Sequence, residues 1–401
     1  MKTSQFYFWE GLSGYLKHDA KIKGENFMVK KSQRIWIILA GLFLGVLAVF
    51  VMPKTKEKEL HAADLTINTT LQLEQFRNNV NSGNDYLGQT IELSADIDLS
   101  GVASWSSIGT VNHPFKGTFD GKGYVISGMK VNMTENTNDI YAGFFGSINN
   151  AKIKNVGIVD SSISSRNSRN IYAGSLAGQN NGSTISDSYF MGTITAENTG
   201  SGNIYAGGLV GQSSGGTISN CYSVENLEVS GLGNNYVGKL VGKQLSGTVT
   251  NSYYLSSSEI TTDNENTTID NTATLSGTNS KTAAKFKSGE MACLLNGNGN
   301  IENGSGGTTW YQSIDNGKGP DSYPVLKNTH GTVYYAYKNG ETTKSYTNTT
   351  PEATNTNSRA LTETSHDFTD GTGFCANCGA YQKCSTETAI NPGSASNPYL
   401  I

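Results

Sequence analysis

The sequence predicts an all-β solenoid, because two landmarks recur along the chain in one common register. The first is a motif that opens with Tyr and closes with Gly, and its four copies end at Gly146, Gly178, Gly211 and Gly242. The second is a polar residue that keeps the same spacing, at Asn155, Asp187, Asn220 and Asn251. A fixed period of this length is typical of a solenoid, in which each unit buries its apolar face only against its neighbours.

The composition is that of a β-rich exported protein, and it does not suit a helical bundle or a nucleic-acid binder. Glycine contributes 47 of the 401 residues, and charged residues make up only 15 %. Globular proteins average roughly 7 % Gly and about 25 % charged residues. The formal net charge is −4, and no basic stripe follows the hydrophobic N-terminal stretch, so we expect no nucleic-acid partner.

The N-terminal region predicts export. Residues 1–34 are basic and are expected to stay in the cytoplasm, and residues 35–52 carry no charge. This run is long for a signal peptide and short for a membrane span of about 20 residues. We therefore assign 35–63 to a signal peptide or a membrane anchor: a start at Met28 favours a cleaved signal, and a start at Met1 favours an anchor. The rest of the chain is then extracellular, either secreted or at the cell surface, and meets the membrane only through this segment.

The predicted solenoid spans residues 64–257 and opens with a short capping helix. Thr69 and Gln72 form a capping-box pattern, and apolar residues at helical spacing follow until Gly83. From Ile91 to Leu99 apolar and polar residues alternate, which predicts a single strand. Its inward side chains are expected to be Leu93, Ala95, Ile97 and Leu99.

Stacking of the repeats predicts columns of equivalent side chains. An inward column is expected at Leu176, Leu209 and Leu240, and a column at the edge of the core at Tyr189, Tyr222 and Tyr253. The Asn/Asp landmark is interpreted as a corner whose side chain bonds to turn backbone. Four further tyrosines open the motif copies, at Tyr141, Tyr172, Tyr205 and Tyr236. We interpret them as ladder packing, with a carbohydrate-stacking stripe on an outer face as the alternative.

The chain beyond the repeats predicts a capping segment and then smaller parts. Residues 258–340 are predicted as a loop, a helix from Lys281 to Asn296, and short strands around Trp310. We expect this segment to cover the last turn of the solenoid, since an uncovered turn exposes unpaired strand edges. The ranges 341–364, 365–384 and 385–401 are predicted as a linker, a cysteine knuckle and the start of a truncated further module.

The third motif copy, Tyr205-Ala-Gly-Gly-Leu-Val-Gly211, resembles the GLUG motif of bacterial secreted and surface proteins. The preceding region resembles that family's lead-in, carried by Val80–Gly83, Ala95–Leu99, Trp105 and Phe115–Gly121. The resemblance covers about residues 65–257 and implies a right-handed parallel β-helix in an adhesin-like protein. The chain departs from the pattern at Phe144-Phe145, where the first copy is one residue short, and at Lys239, where Gly is usual.

Several carboxylates are candidate sites of chemistry. Asp96 and Asp98 are two residues apart, and such a pair can serve acid–base catalysis or bind calcium. We interpret the pair as a solvated face with turn hydrogen bonds, and Asp120 as a turn residue. β-Helix enzymes that cut acidic polysaccharides gather carboxylates with basic residues, whereas the repeats hold only Arg166 and Arg169, both predicted in a loop. The chain is therefore predicted not to be an enzyme.

The cysteines suggest one metal site. His366, Cys375, Cys378 and Cys384 form a possible Cys3His zinc set, with a disulfide or free thiols as the alternatives. No other cofactor is expected. Cys221 takes the place of Val156 or Ser188 in other copies, and we interpret it as a small buried side chain.

These observations predict an exported bacterial β-helix protein that acts as an adhesin, a stalk or a structural binding module. The expected partners are host or matrix glycans and proteins, or cell-wall polysaccharide, because a solenoid offers a long repetitive face to an extended partner. Two alternatives stay open. One is a β-helix enzyme that degrades polysaccharide, and the other is a spacer for a peptidase domain outside this chain.

Overall fold

The computed structural model describes residues 63–269, 279–297, 309–314, 320–337 and 344–348. The predicted cytoplasmic segment, the hydrophobic run 35–52 and the four possible zinc ligands lie outside the described residues. The described part belongs to one compact unit, His61–Ile401. No helix within these described ranges is long and apolar enough to cross a membrane.

The described residues form mostly short β-strands with three helices. The helices are α1 Thr70–Asn81, α2 Ala283–Lys287 and α3 Glu290–Leu295. The strands before the second motif copy are β1 Leu65–Ile67, β2 Thr90–Leu93, β3 Ile97–Asp98, β4 Thr118–Asp120, β5 Val125–Ser127, β6 Lys130–Glu135, β7 Ile140–Ala142, β8 Phe145–Asn149, β9 Lys152–Lys154 and β10 Gly157–Asn167. The strands of the later copies are β11 Ile171–Gly174, β12 Ala177–Asn181, β13 Thr184–Ser186, β14 Tyr189–Asn198, β15 Ile204–Gly207, β16 Val210–Ser219, β17 Tyr222–Gly231, β18 Asn235–Gly238 and β19 Val241–Thr250. The remaining strands are β20 Tyr253–Leu255, β21 Ile260–Thr262, β22 Thr267–Ile269, β23 Ser280–Lys281, β24 Tyr334–Tyr337 and β25 Lys344–Thr347.

Three parallel sheets run the length of the molecule, and each repeat contributes strands to all three. The first sheet has the order β1-β2-β4-β9-β13-β16-β12-β8, with β19 also on β16. The second runs β23-β20-β17-β14-β10-β5-β3, with β21 and β6 at its side, and the third runs β22-β18-β15-β11-β7. This is a β-solenoid of about six turns, so the predicted all-β parallel β-helix is confirmed.

The strand register pairs residues that are one repeat apart. In the third sheet Tyr205 lies beside Tyr172 on one side and Tyr236 on the other. In the second sheet Ile194 lies between Ile163 and Leu227. Equivalent side chains therefore stack above one another, as the repeat spacing predicts.

The interior of the β-helix is an apolar core built from these columns. The predicted inward column, Leu176, Leu209 and Leu240, is buried throughout. Cys221 is fully buried among the same core residues and is a free thiol, which confirms its interpretation as a small packing residue. Burial raises the pKa of this thiol, so it stays protonated.

The N-terminal end of the core is filled by aromatic rings beneath α1. The helix begins after Thr69, whose hydroxyl accepts from the Gln72 N–H at 3.3 Å, as the capping pattern predicts. Leu73, Phe76 and Val80 form its buried face. Phe76 packs on Phe119 with ring centroids 6.1 Å apart, and Phe119 contacts both phenylalanines of the shortened first motif copy. Two large rings thus fill the space that a longer copy fills with smaller side chains.

The single strand predicted from Ile91 to Leu99 is wrong in one respect. The chain turns a corner inside it, so that β2 lies in the first sheet and β3 in the second. Ala95 is at that corner and half-buried, whereas the other three predicted inward residues are buried. The alternation of apolar residues continues through the corner, and for this reason the pattern could not reveal it.

The segment after the last repeat begins at the last turn, where β23 pairs with β20, and it also packs along the side of the β-helix, where Trp310 contacts Tyr189 and Tyr222. The predicted helix from Lys281 to Asn296 is interrupted after α2, because Gly289 takes a left-handed conformation with φ +90°. Strands β24 and β25 pair antiparallel, and β25 falls within the range 341–364 that composition predicts as a linker. We refer to the described residues 279–348 as the C-terminal segment.

A leucine of the inward column should be much more important for stability than an exposed leucine. Leu209→Ala should lower the free energy of unfolding by about 2–5 kcal/mol, because it removes buried methyl groups and leaves a cavity. Leu232→Ala is the control, since Leu232 is 83 % exposed, and it should change that energy by less than about 0.5 kcal/mol. Denaturant unfolding of the full chain measures both, and equal effects would contradict the packing described here.

Candidate functional site

The described surface has a groove of about 610 Å³ where the early turns of the β-helix meet the C-terminal segment. The β-helix side is lined by Asp120, Lys122, Gly123, Tyr124 and Asn155. The opposite side is lined by Thr309, Tyr311, Leu326, Lys327, Asn328 and Thr329. The groove therefore offers several hydrogen-bonding groups and two tyrosine rings to a ligand.

Asp120 lies at the bottom of the groove and is only 4 % exposed. Its carboxylate accepts from the Lys122 N–H at 2.9 Å, which confirms the predicted turn. It also accepts from Asn155 Nδ2 at 2.9 Å and lies 3.1 Å from Lys154 Nζ. With these donors the carboxylate is fully engaged, so it serves the scaffold.

The lysines of the groove are also paired with carboxylates. Lys122 Nζ lies 3.4 Å from Glu92 Oε1. Lys327 reaches from the C-terminal segment to Asp96, and its Nζ lies 5.5 Å from the centre of the Tyr124 ring. These pairs are partly exposed and contribute little to stability, but they give the groove alternating donors and acceptors with no excess charge.

Asp96 and Asp98 bond to different parts of the backbone. Asp96 Oδ1 accepts from the Val125 N–H at 2.9 Å, and Asp98 Oδ1 accepts from the Ser100 N–H at 2.8 Å. The bonds from Ser100 hold the pKa of Asp98 below its ordinary value. Asp98 thus makes a turn hydrogen bond of the kind that the sequence predicts, whereas Asp96 bonds to a strand 29 residues along the chain. In the described part of the chain no three metal-ligating side chains come together.

The arginines of the repeats are placed differently from the prediction. Arg166 lies in strand β10 and not in a loop, and its Nε lies 3.0 Å from Glu197 Oε2 one turn later. Arg169 lies in the bend that follows. Cross-strand pairing of Arg166 with a carboxylate is a packing arrangement on the outside of the sheet.

A column of corner residues continues from Asp120 along the side of the β-helix. Asn155, Asp187, Asn220 and Asn251 all have positive φ, between 45° and 54°. Asn220 Nδ2 donates to Asp187 Oδ1 at 3.3 Å, and Asn251 Nδ2 donates to Asn220 Oδ1 at 2.7 Å. The predicted bonds to turn backbone are thus replaced mainly by bonds between equivalent side chains. Asn tolerates the left-handed conformation better than most residues, and this explains its recurrence.

The motif tyrosines form a continuous stack on the outer face of the third sheet. Successive ring centroids from Tyr141 to Tyr236 are 4.7, 4.7 and 5.2 Å apart, and the ring planes are within 8° of parallel. Lys243 Nζ lies 3.6 Å from the centroid of Tyr236 and covers the end of the stack. Sugar rings bind to open aromatic faces, whereas these faces lie against each other, so the interpretation as ladder packing is favoured by the geometry. Burial in the stack raises the pKa of Tyr172.

A second tyrosine column is covered by the C-terminal segment. Tyr189 and Tyr222 stack with centroids 4.9 Å apart, and Trp310 packs against both at 5.8 and 5.4 Å. Tyr222 Oη donates to the Pro324 carbonyl at 2.8 Å. Sequence reasoning placed these tyrosines at the edge of the core but missed their partner. The sequence signal that could have revealed this partner is the set of large apolar residues Phe286, Met291 and Trp310. These residues form one buried cluster with the two tyrosines.

Cys293 of α3 is buried in this same cluster and is disulfide-bonded. A disulfide in this position agrees with folding in an oxidising compartment. A separate hydrogen bond joins α3 to the corner column, since Asn251 Nδ2 donates to the Leu295 carbonyl at 3.3 Å.

Asp187 is the one carboxylate in the Asn positions of the corner column, and we expect it to reduce stability at neutral pH. Burial raises its pKa above the ordinary 3.8, so the folded chain keeps this proton to higher pH than the unfolded chain. Its contribution to the free energy of unfolding therefore falls as pH rises from about 3.8 through the raised value. Asp187→Asn should raise that energy at pH 7 by about 1 kcal/mol, and the gain should disappear below the ordinary pKa.

Chemical denaturation at pH 7 and at pH 3 measures the effect of Asp187→Asn. Asp98→Asn is the control, because Asp98 is exposed and its pKa is lowered, so this change should give no gain at pH 7. Equal stability of Asp187→Asn and the unsubstituted chain at pH 7 would contradict the expected cost of the buried carboxylate.

Comparisons with known proteins agree in part with this architecture. Residues 202–228, which contain the third motif copy, match the family model described as the GLUG motif. A solved structure from Bacteroides ovatus, described as a "putative immunoglobulin A1 protease", is similar at 20 % identity and a TM-score of 0.38 over 65 % of this chain and 91 % of that one. No curated protein matches the chain. The family match within the third motif copy and the stacked parallel strands together fit a GLUG-repeat β-helix protein.

Proposed function

We propose that this chain is the extracellular β-helix of an exported bacterial protein and acts as an adhesin or stalk, that is, as a structural binding module. The observation that carries the proposal is that the repeated side chains contact one another between neighbouring turns. The leucines, corner residues and tyrosines that recur in each turn contact their own equivalents in the next turn. The repeat therefore specifies a stiff rod, which suits a protein that spans distance or displays a surface.

The groove beside Asp120 is the place where we expect a partner to bind. Its lysine–carboxylate pairs supply both donors and acceptors, and Tyr124 and Tyr311 supply ring surface. A hydroxyl-rich ligand satisfies such a site better than a strongly charged one, because the groove carries no excess of either charge. We therefore favour a neutral polysaccharide of the cell wall or of a host surface as the ligand class.

Binding of the full chain to immobilised polysaccharides and matrix proteins tests the groove. Lys122→Ala and, separately, Lys327→Ala should each weaken binding about tenfold, which corresponds to about 1.4 kcal/mol. Lys130→Ala is the matched control, since Lys130 is an exposed lysine of β6 outside the groove and should bind as the unsubstituted chain does. If both groove variants bind as tightly as the unsubstituted chain, the site is refuted. If the polysaccharide is shortened during the assay, the enzyme alternative is favoured.

Export is tested separately by fractionation of the bacterial cell. The full chain should be found in the medium or on the cell surface, because residues 35–52 form an uncharged run behind a basic flank. Deletion of 35–52 should retain the chain in the cytoplasm. Recovery of the unaltered full chain from the cytoplasm alone would contradict the proposed location, whatever the binding assay shows.

A further inference from the structure

Three polar side chains meet in the interior of the β-helix, and two of them, Glu225 and Lys239, are ionisable. Ser223 and Glu225 lie on β17, and Lys239 lies between β18 and β19 in the next turn. Glu225 is 2 % exposed and Lys239 is 8 % exposed. The Lys239 Nζ atom lies 3.9 Å from Glu225 Oε1, which is beyond hydrogen-bond distance but close to van der Waals contact.

The polar atoms of this cluster are poorly satisfied, because no hydrogen bond of ordinary geometry reaches them. Both carboxyl oxygens of Glu225, the Nζ of Lys239 and the Oγ of Ser223 are buried and unsatisfied. Buried polar groups in folded proteins are almost always bonded, and a buried ion pair with poor geometry does not recover the cost of removing two charges from water. The cluster therefore requires an explanation beyond a structural ion pair.

The surrounding turns make room for these side chains. Glu225 lies beside Gly192 of the preceding turn. Lys239 stands in the fourth motif copy where the third copy has Gly208. A Cβ atom on Gly208 would lie 2.6 Å from Ser223 Oγ and 3.0 Å from Glu225 Cδ, so only glycine leaves space for the carboxyl group. Two departures from the repeat, one acidic and one basic, thus meet in a space bordered by glycines.

The surroundings favour the uncharged form of both groups. Burial raises the pKa of Glu225 to about 8 and lowers the pKa of Lys239. Opposing effects on these pKa values come from the Ser223 hydroxyl and Lys239 on the acid, and from Glu225 and the exposed Glu259 on the amine. A neutral amine is a nucleophile, and a neutral carboxylic acid can lose its hydroxyl group as water, so this pair is set up for condensation.

We propose that Lys239 and Glu225 condense to form an isopeptide bond that joins the third and fourth motif turns. The lone pair of Lys239 Nζ attacks Cδ of Glu225, a C–N bond forms and the C–OH bond breaks. The leaving hydroxyl takes one amine proton and departs as water, so no oxidant, reductant or further reactant is needed. Ser223 Oγ lies beside the carboxyl group and is placed to pass the proton. The product is a neutral amide, which removes both ionisable groups from the core.

Mass spectrometry of the purified, reduced full chain tests the proposal. We expect digestion to yield a branched peptide that joins the segment around Glu225 to the segment around Lys239, lighter by one water than its two linear parts. Lys239→Gly, which installs the residue of the third copy, should abolish this peptide. Lys243→Ala is the matched control, since Lys243 lies outside on the tyrosine stack, and it should retain the peptide.

A second variant tests the chemistry independently of folding. Glu225→Gln should give the same branched peptide with an identical mass, because the side-chain amide loses ammonia where the acid loses water. A soluble chain with the cooperative unfolding of the native protein and only linear peptides would overturn the proposal. Formation of the branched peptide in Lys239→Gly would overturn it as well, because another lysine would then be responsible.

Discussion

Parallel pairing of each strand with its equivalent one turn away is the constraint on which the rest of this structure depends. It brings identical or related side chains within about 4.8 Å of each other, the spacing between paired strands. The tyrosine centroids, 4.7 to 5.2 Å apart, follow that spacing directly. Any residue in a repeat must therefore tolerate a copy of itself above and below. Apolar, aromatic and amide side chains meet this condition, whereas like charges do not.

The same constraint explains where glycine is required. A Cβ atom on Gly174 would lie 2.5 Å from the backbone nitrogen of Gly211 in the next turn. A Cβ atom on Gly207 would lie equally close to the nitrogen of Gly242. The backbone at this point of the motif thus passes directly over the neighbouring turn. The glycines of the motif are therefore needed where neighbouring turns come into close contact.

The repeated part of the fold was accessible from the sequence because periodicity in sequence becomes periodicity in space. The leucine column, the corner column and α1 were predicted correctly for this reason. The corner inside Ile91–Leu99 was not, because alternation is the same on both sides of a bend. The lateral packing of the C-terminal segment was also missed, because it depends on contacts such as Trp310 on Tyr222 that join distant parts of the chain. The groove follows from that packing and was equally inaccessible.

The two tyrosine columns show how the molecule divides its surface between scaffold and partner. Both arise from the same stacking rule, yet the Tyr189 and Tyr222 column is covered by an apolar cluster and the motif column is left at the surface. Stacked rings present only their edges, so the motif column, which is half-buried at Tyr141, Tyr172 and Tyr236 and buried at Tyr205, offers a partner little apolar area. Side chains that depart from the repeat have no equivalent in the neighbouring turns to stack on. They are therefore free to make interactions that a repeated residue cannot make. The groove at Asp120 and the Glu225–Lys239 cluster are both of this kind, and we therefore look for function in the departures from the repeat.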